Sequence, residues 1–507
     1  MNVPTKSVEV EIHGNFVDGG EIEAGRGEML DVRNPATGDV IARIPNSTKE
    51  DIDRAMKSAR AAFEGKAWGG MDIRARAKLV NRLADAFEAN LDQLYRLETL
   101  NNGRPVNETR AQLSRLPDFF RYFAGLALAR RDAVIPVEGA YLNYTLRTPI
   151  GIVANCTPFN HPLMILCKSL AAVLASGCVT VVKPSEYTPL TTPKLARIFT
   201  DAGLPPGVFN VVLGLGQSTG KMLAEHPDIN KLVLTGGTDA GRIAGAAAAK
   251  VFAHQTLELG GKTPVMVFED FDVDRAVNYA AFGAFIGAGQ TCVCASRHLV
   301  QASIYDEFIE KLKAKTEKIR IGDPSYPATQ LGPVISARQR DRVLSYCNSG
   351  RADGARLVTG GKAAKIAGHE NGYFVEPTVF ADVTSDLRIF QEEVFGPFTS
   401  VTPFKDEEDA LRLANDSPFG LAAAVRTKDV ARAHRVAAKV KAGIVWINDH
   451  HRLDPASPWG GVGDSGVGRE CGTESFDDHF HTKSVMVATS DAPFDWYRDT
   501  AGQRRLN

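Results

Sequence analysis

The sequence has no excess of charge of either sign. Its 507 residues carry 59 basic and 60 acidic side chains, for a formal net charge of -1 at pH 7. A chain with this balance has no overall field that attracts nucleic acid or an anionic membrane, so neither is expected as a partner. Long uninterrupted apolar runs are also lacking. The apolar stretches 163–183 and 243–253 contain Lys168 and Lys250, and we predict that they are core elements rather than membrane spans.

Cysteines are few, and their spacing is not that of metal ligands. The seven lie at positions 156, 167, 178, 292, 294, 347 and 471. This scatter favours a reducing, cytoplasmic location and argues against a disulfide framework or a structural zinc, so no bound metal is predicted. Residues 1–20 lack a basic region followed by an apolar run, so no signal peptide is expected.

The length and composition are those of a globular protein with several domains. A chain of 507 residues exceeds what one core usually serves, so two or three domains are expected. Residues 8–45 read as short strands, with NPATG as a turn between two of them. The apolar spacing from Ile52 to Phe63 then predicts an amphipathic helix capped near Thr48, and more helices follow through about Ala127.

Strand-like and helix-like segments alternate between residues 150 and 267. The strand-like segments are GIVAN, CVTVVK, VFNVVLG, KLVLTG and TPVMVF. Such runs of Val, Ile and Leu joined by helices predict a parallel sheet covered on both faces, and these sheets bind ligands at the carboxyl ends of their strands. A second α/β section is predicted from about 269 to 466, with strands HLVQAS, FTSVTPF and GIVWIN.

One stretch in the middle of the chain contains two residues that can act together chemically, Glu258 and Cys292. A thiol is a strong nucleophile only as the thiolate, and a carboxylate nearby can serve as a base. The apolar spacing between them predicts a helix over 273–286 that carries the chain away and back. Two glycines then end this helix and leave the cysteine in a tight loop.

The motif LELGGKTP, followed by the cysteine of GQTC, resembles the aldehyde dehydrogenase superfamily, and the resemblance extends over nearly the whole chain. It implies an α/β, aldehyde dehydrogenase-like fold. Residues 1–127 and 149–257 would form a Rossmann-type parallel-sheet domain that binds the cofactor. Residues 258–466 would form an α/β catalytic domain, and residues 128–148 and 479–507 a β-hairpin oligomerisation arm and tail.

The arm is also visible in the sequence itself. Residues 129–150 read as an extended hairpin, and Thr482–Ala488 is a candidate second strand for its exposed edge. In the family such a hairpin pairs with another subunit, which implies a homodimer or homotetramer. The alternative is an ordinary local hairpin.

The resemblance also implies a catalytic trio of Cys292, Glu258 and Asn160. Cys292 would attack an aldehyde to give a thiohemiacetal, whose oxyanion the Asn160 amide and the Cys292 backbone N–H would hold. Hydride transfer to NAD would leave a thioester, and Glu258 would activate the water that hydrolyses it to the acid. Read alone, an Asn before His-Pro is more often a helix cap.

The cofactor implied by the resemblance is NAD. The family lysine and acid matching Lys183 and Glu186 contact the adenosine ribose, and a carboxylate there repels a 2′-phosphate, so NADP is disfavoured. Family members commonly have a serine at the position of Gly237, so no side-chain contact is assigned to it. The cofactor contacts implied are Pro158, Phe159, Lys183, Ser185, Glu186, Gly216, Gly220, Thr235, Gly236, Gly237, Glu393 and Phe395.

Two segments are predicted to line the aldehyde tunnel. One helix face carries His161, Met164, Ile165 and Lys168. The second wall would contribute His451, Arg452, Leu453 and Trp459. Basic residues at the mouth of such a funnel suit an anionic or hydrogen-bonding group, so we predict an aromatic, cyclic or carboxylated aldehyde. The alternative is that these charges pair with Asp449 and Asp454 or face another subunit.

The sequence therefore predicts an NAD-dependent aldehyde dehydrogenase that produces acids. An acylating enzyme using coenzyme A is a second reading, disfavoured because such relatives usually lack the glutamate that matches Glu258. A non-catalytic structural or binding member of the family is a third reading. The retention of Cys292, Glu258 and Asn160 argues against it.

Overall fold

The computed structural model describes residues 10–23, 27–491 and 497. Residues 1–9, where no signal peptide is predicted, and most of the predicted tail beyond residue 491 lie outside the described residues. Up to Ala129, short strands precede a run of helices. These elements are β1 (Glu11–Ile12), β2 (Asn15–Val17), β3 (Gly20–Ile22), β4 (Met29–Arg33), β5 (Val40–Pro45), α1 (Lys49–Glu64), α2 (Ile73–Ala89), α3 (Leu91–Asn102), α4 (Val106–Leu113) and α5 (Pro117–Ala129).

The turn and the helix cap predicted near the start of the chain are confirmed. In NPATG, between β4 and β5, the Asn34 side chain accepts a hydrogen bond from the Ala36 backbone N–H at 2.9 Å. Thr48 caps α1 through a capping box, in which the Asp51 carboxylate accepts from the Thr48 backbone N–H at 2.9 Å. Such a box satisfies amide groups that the first turn of a helix leaves without partners.

The predicted hairpin and the alternating strands and helices follow. The elements up to Glu258 are β6 (Val134–Ile135), β7 (Tyr141–Pro149), β8 (Ile152–Cys156), α6 (Pro162–Ser176), β9 (Val179–Lys183), α7 (Thr191–Asp201), β10 (Phe209–Val211), α8 (Lys221–Ala224), β11 (Lys231–Thr235), α9 (Thr238–Lys250) and β12 (His254–Glu258). A π-helical turn, Gly216–Gly220, precedes α8.

The remaining described chain continues to alternate strands and helices. Its elements are β13 (Pro264–Val267), α10 (Val273–Phe285), β14 (Arg297–Gln301), α11 (Tyr305–Thr316), α12 (Ala337–Ala352), β15 (Arg356–Thr359), β16 (Thr378–Ala381), α13 (Arg388–Gln391), β17 (Phe398–Phe404), α14 (Glu407–Asn415), β18 (Phe419–Gly420), β19 (Ala422–Arg426), α15 (Val430–Lys439), β20 (Ile444–Ile447), β21 (Val462–Gly463), β22 (Gly466–Val467), α16 (Gly472–Asp477) and β23 (Phe480–Ala488). Short 3₁₀ turns lie at Ile286–Gly289 and Ala302–Ile304.

The first large sheet has the strand order β22-β12-β11-β8-β9-β10-β2-β3. Its central strands, from β12 to β10, are all parallel to their neighbours. The carboxyl ends of these strands therefore meet at one edge of the sheet, where ligands bind in folds of this kind. Lys183, Thr235 and Glu258 are the last residues of β9, β11 and β12 and lie at that edge.

The prediction that TPVMVF belongs to this sheet is wrong. Its strand, β13, lies in a second sheet with the order β15-β16-β17-β14-β13-β19-β20. The strand that the prediction missed is β12, where His254 and Gln255 interrupt the apolar pattern that marks a buried strand. The other strands predicted for the second α/β section are confirmed as β14, β17 and β20.

The hairpin forms a third sheet in the order β23-β7-β6. The candidate strand at Thr482–Ala488 is part of β23, which pairs antiparallel with β7 from Phe480 opposite Pro149 to Ala488 opposite Tyr141. Val134 and Met486 of this sheet are 70% and 54% exposed. The arm therefore presents apolar surface to its surroundings.

The core is centred on α6, because every residue of this helix is buried. A helix that is buried on all sides and precedes the central strand β9 is expected in the middle of a large domain. Among the described residues, no helix is both long enough and apolar enough to cross a membrane. The predicted boundaries between the cofactor domain, the catalytic domain and the arm stay predictions.

Candidate active site

Glu258 and Cys292 line the same cavity, which has a volume of about 460 Å³. Glu258 is the last residue of β12, and Cys292 follows the 3₁₀ turn after α10. The helix predicted between them is α10. The Asp272 side chain caps its N-terminus by accepting a hydrogen bond from the Arg275 backbone N–H. The fold thus returns the chain to the carboxyl edge of the first sheet, where the glutamate lies.

The loop that carries Cys292 is shaped by left-handed backbone. Gly287, Ala288 and Gly289 have φ values of +60°, +56° and +67°. A side chain on Gly289 would lie 1.9 Å from the backbone oxygen of Gly396, so only glycine fits there. The Glu258 segment packs against the same loop, because a Cβ on Gly261 would lie 2.3 Å from the Cys292 backbone oxygen.

Both reactive groups are held in their neutral forms by burial. Desolvation raises the pKa of Cys292 to about 12, and the nearby ammonium of Lys168 opposes that rise. Desolvation, and then the charge of Glu470, raise the pKa of Glu258 well above its ordinary value, while Lys168 acts in the opposite direction. Neither oxygen of Glu258 accepts a hydrogen bond of good geometry from the described residues. Burial therefore favours the protonated form of this carboxyl.

Lys168 is the charged group closest to this chemistry, and it is already paired. Its ammonium lies 2.5 Å from a carboxylate oxygen of Glu470, and both side chains are buried. The same ammonium lies 5.1 Å from the centre of the Trp459 ring. Desolvation lowers the pKa of Lys168, but the neighbouring acidic groups, Glu470 foremost, together outweigh it, so the pKa is raised. Lys168 therefore stays charged in the cavity wall.

Asn160 is buried at the start of α6, one residue before His161. Its backbone oxygen accepts a hydrogen bond from the Asn102 side chain at 3.0 Å. Its side-chain Oδ1 is buried and has no hydrogen-bond partner among the described residues. Asn160 is not among the residues that line the cavity, although the neighbouring His161 is. Its role at the oxyanion stays a prediction.

A third wall of the cavity was not predicted from the sequence. It comes from α4, its flanks and the start of α5, and contributes Arg104, Asn107, Glu108, Ala111, Gln112, Arg115, Leu116 and Phe119. Glu108 accepts a hydrogen bond from the backbone N–H of Gly287 at 3.0 Å, and so ties this wall to the cysteine loop. The available signal is the spacing of Glu108 and Gln112, which share one face of α4.

The histidines of the cavity are uncharged. Desolvation lowers the pKa of His161 well below its ordinary value, and the charge of Arg104 lowers it further. Desolvation lowers the pKa of His451 to about 4. His451 Nε2 lies 3.3 Å from the Thr291 hydroxyl, next to Cys292. These rings act as hydrogen-bonding groups rather than as cations.

The structure brings most of the predicted tunnel residues together. The cavity is lined by His161, Met164, Ile165, Lys168, His451, Leu453 and Trp459. Arg452 is the exception, because it is exposed and does not line the cavity. Its backbone oxygen accepts a hydrogen bond from the Trp446 indole at 3.0 Å.

Most predicted cofactor residues cluster at the carboxyl edge of the first sheet. The Lys183 ammonium lies 3.1 Å from a carboxylate oxygen of Glu186. A Cβ on Gly220 would lie 3.6 Å from the Lys183 side chain, and one on Gly216 would lie 3.9 Å from it. Both glycines therefore border this lysine at ordinary contact distances. Ser185 is buried nearby in sequence.

A second group connects this edge to the catalytic loop. The backbone N–H of Gly261 donates to the Glu393 carboxylate at 2.8 Å. Burial raises the pKa of Glu393 to about 7. The Phe159 and Phe395 rings meet edge to face at 5.7 Å between centres. Glu393 and Phe395 thus approach residues that flank Glu258 and Asn160.

Thr235, Gly236 and Gly237 connect β11 to α9. The Thr235 hydroxyl is buried without a hydrogen-bond partner among the described residues, and Thr235 lines the cavity. The Gly236 backbone N–H donates to the Glu258 backbone oxygen at 3.0 Å. A Cβ on Gly237 would meet nothing within 4 Å, so the space beside the first turn of α9 is open.

A larger cleft of about 1060 Å³ lies elsewhere, between the first strands and α3 and α7. None of the predicted catalytic residues lines it. Within the described part of the chain, no group of His, Cys, Asp and Glu side chains has the arrangement of a metal site. The predicted nucleophile and base lie instead in the smaller cavity.

Comparisons with known proteins identify the family and the fold. The sequence profile of the Aldehyde dehydrogenase family matches residues 22–485. An aldehyde dehydrogenase of Davidiella tassiana is 40% identical over 95% of this chain and 96% of its own length. The betaine aldehyde dehydrogenase of Staphylococcus aureus, solved in complex with NAD+, is 38% identical and superimposes with a TM-score of 0.93, over 96% of this chain and 97% of its own. An NAD+ complex of an aldehyde dehydrogenase from Bacillus cereus is 40% identical, with a TM-score of 0.92 over 95% of this chain and 97% of its own.

Proposed function

Because the chain belongs to the aldehyde dehydrogenase family, we propose that it oxidises an aldehyde to the carboxylic acid with NAD, through a thioester on Cys292. The observation that carries this proposal is that Cys292 and Glu258 line one cavity. A nucleophile and a carboxyl of raised pKa around the same space can form an acyl intermediate and then hydrolyse it.

The residues at the carboxyl edge of the first sheet fit a dinucleotide. The open space beside Gly237 admits a ligand close to the backbone, and Gly216 and Gly220 border Lys183 without a close contact. The buried Thr235 hydroxyl lacks a partner that a ligand could supply. Lys183 and Glu186 would hold the adenosine ribose, and Glu393 the nicotinamide ribose. When bound, NAD supplies the acceptor for the hydride that leaves the aldehyde carbon.

The Glu186 carboxylate supports NAD over NADP. A carboxylate accepts hydrogen bonds from a ribose 2′-hydroxyl and repels a 2′-phosphate. Glu186 is partly exposed, and Lys183 partly balances its charge at 3.1 Å. We therefore expect discrimination in favour of NAD, with some turnover of NADP.

Chemistry would begin at Cys292. Its sulfur forms a bond to the aldehyde carbon, and the carbonyl oxygen becomes an oxyanion that the Asn160 amide and the Cys292 backbone N–H stabilise. Loss of hydride from the same carbon leaves a thioester. Glu258 then takes a proton from a water molecule, which attacks the thioester, and the acid and the free thiol are released.

Burial and the charge of Lys168 act on the protonation states that these steps use. Burial keeps Cys292 protonated in the free enzyme, so the thiol releases its proton to solvent as the sulfur attacks. This is the proton that the overall oxidation sets free, because the proton that Glu258 later takes from water returns to the sulfur when the thioester is cleaved. The Lys168 ammonium is the buried charge that favours the thiolate, and it favours ionised Glu258 as well. One fixed cation thus assists both the nucleophile and the base.

The substrate would be an aromatic or cyclic aldehyde. The cavity of about 460 Å³ has apolar walls from Leu116, Phe119, Phe282 and Trp459, which suit a flat ring. A carboxylated aldehyde would require a free cation. Arg452 lies outside the cavity, whereas Arg115 lines it, is exposed and forms no ion pair with another described residue. A carboxylate would therefore be bound by Arg115.

The arm supports assembly into a homodimer or homotetramer. The edge strand β6 is short, and Val134 and Ile135 on it are exposed. An exposed apolar edge in a sheet of this kind is stabilised by a second copy. Sedimentation of the wild-type chain and of a Val134→Glu variant would test this, and a monomeric wild type would refute it.

The experiment that tests the proposed function follows NADH formation over a panel of aldehydes, with the product identified. Carboxylic acid in the absence of coenzyme A is the expected result. A product that forms only with coenzyme A, as its thioester, would favour the acylating alternative. No NADH from any aldehyde would favour a non-catalytic family member.

A further inference from the structure

A chain of hydrogen bonds in the third wall fixes the protonation of His161. The Arg104 guanidinium donates to Gln112 Oε1 at 2.7 Å, and His161 Nδ1 lies 3.1 Å from the same oxygen. A guanidinium can only donate, so the Gln112 atom that it meets is the amide oxygen and not the nitrogen. An amide oxygen can only accept, so His161 Nδ1 must carry a proton.

The other nitrogen of the ring is then a bare acceptor. His161 is 2% exposed and neutral, because burial and the nearby Arg104 charge disfavour the imidazolium. A neutral imidazole has one N–H, and that proton is on Nδ1, so Nε2 carries a lone pair. Nε2 is buried and has no hydrogen-bond partner among the described residues.

A buried acceptor without a partner is costly unless a ligand satisfies it. Leaving such a group unpaired costs the full desolvation penalty of that group. His161 lines the cavity that also contains Cys292 and Glu258. The opposite histidine does not compete for this role, because His451 Nε2 already contacts the Thr291 hydroxyl. Of the two histidines that line the cavity, His161 is therefore the one with a buried nitrogen that lacks a partner among the described residues.

We propose that His161 Nε2 accepts a hydrogen bond from a hydroxyl group on the substrate, so that the enzyme selects aldehydes that carry a hydrogen-bond donor on their ring. This inference rests on the proposed function. It names a hydroxylated rather than a carboxylated aldehyde, because a carboxylate presents acceptors only and would face the Nε2 lone pair. Gln112 acts as a positioning residue, since it holds the ring proton on Nδ1.

The test compares pairs of aldehydes that are similar in shape but differ in hydrogen bonding, and the wild-type ratio is compared with that of each variant so that intrinsic differences in reactivity cancel. The probes are 3- and 4-hydroxybenzaldehyde and the isosteric 3- and 4-methylbenzaldehyde, and the readout is the hydroxyl-to-methyl ratio of kcat/KM at pH 6, where both phenols stay protonated although the formyl group lowers their pKa below that of tyrosine. The wild type should favour the hydroxyl member of at least one pair by roughly five- to tenfold. The variant His161→Phe keeps the size of the ring without its nitrogens, and its ratio should fall to about one.

Two further variants separate this role from a structural one. Gln112→Met leaves His161 in place but no longer fixes its proton on Nδ1. The hydroxyl-to-methyl ratio of this variant should therefore also fall, and the fall does not depend on any loss of turnover with the methyl aldehydes. Arg115→Met removes a different polar group of the cavity wall, and it should keep the wild-type ratio. A ratio near one in the wild type, a preference that survives His161→Phe, or a preference lost in Arg115→Met would each overturn the inference.

The outcomes also separate this inference from the proposed function. Oxidation of the methyl aldehydes without any preference for the hydroxyl partners leaves the dehydrogenase assignment intact and removes the inference alone. Oxidation of other aldehydes but none of these four overturns the inference together with the aromatic substrate class. Failure to form NADH from every aldehyde removes the proposed function itself.

Discussion

The Lys168 ammonium lies 2.5 Å from a Glu470 carboxylate oxygen, and the two buried side chains set the charge around Glu258. Glu470 raises the pKa of Glu258, and Lys168 lowers it. An ion pair of this kind is strongly destabilised when one partner is removed, because the other charge stays buried. Here the remaining charge would also change the pKa of Glu258, the proposed base.

Removing each partner should shift the pH profile in opposite directions. Glu258 acts as a base, so thioester hydrolysis is lost as pH falls through its pKa. Glu470→Gln leaves the Lys168 cation unbalanced, lowers that pKa and should move the acidic limb of kcat to lower pH by about one unit. Lys168→Met leaves two carboxyl groups together and should move the limb to higher pH. Shifts in the same direction would show that the pair does not act on Glu258.

The role of Cys292 predicts loss of turnover without loss of cofactor binding. Cys292→Ala removes the sulfur that forms the thioester, and NADH formation should fall at least ~1000-fold. NAD affinity, measured by quenching of protein fluorescence, should be nearly unchanged, because the residues assigned to the cofactor lie on other segments.

The matched control for this variant is two residues away. Cys294 is buried, donates to the Ala284 backbone oxygen at 3.3 Å and does not line the cavity. Cys294→Ala should therefore retain activity within a few-fold. Wild-type turnover in Cys292→Ala would contradict the assigned nucleophile.

Glu258→Gln should separate the two halves of the reaction. The thioester can still form, since the substitution leaves the thiol and the cofactor site intact, but the water is no longer activated. Rapid mixing should show a burst of NADH close to one equivalent per active site, followed by steady turnover about 100-fold slower than in the wild type. A wild-type steady rate, or the absence of any burst, would show that Glu258 is not the base for hydrolysis.

Much of the fold and the central pair of the site could be predicted from the sequence because their signals are local. The cap at Thr48, the helix between Glu258 and Cys292 and the strands of the second α/β section all follow from patterns within a few residues. The motif around Glu258 and Cys292 carries its chemistry within one stretch. Both residues line the cavity.

The rest depended on contacts between distant segments. Nothing near Lys168 in sequence indicates that Glu470 neutralises it, so the sequence suggested a free cation at the tunnel mouth. Arg104, Gln112 and His161 form their network only after α4 packs beside α6. The strand β12 was missed for a related reason, since its polar residues pair with neighbours that only the tertiary fold supplies.

Gly261 predicts a steric test of how the Glu258 segment and the cysteine loop fit together. A Cβ at this position would lie 2.3 Å from the Cys292 backbone oxygen and 3.3 Å from the Leu421 side chain. The backbone oxygen cannot move away without displacing the nucleophile. Gly261→Ala should therefore lower kcat/KM by roughly 100-fold, since a displacement of about 1 Å at a reacting group can cost that much.

The control for this variant is Gly125→Ala in α5. A Cβ there meets nothing within 4 Å, and alanine is preferred over glycine inside a helix by about 1 kcal/mol. Gly125→Ala should keep wild-type activity and unfold at the same or a slightly higher temperature. Gly261→Ala should instead lose activity while circular dichroism shows the same helix content. Full activity in Gly261→Ala would mean that the cysteine loop has room to retreat, and that its position is not set by this contact.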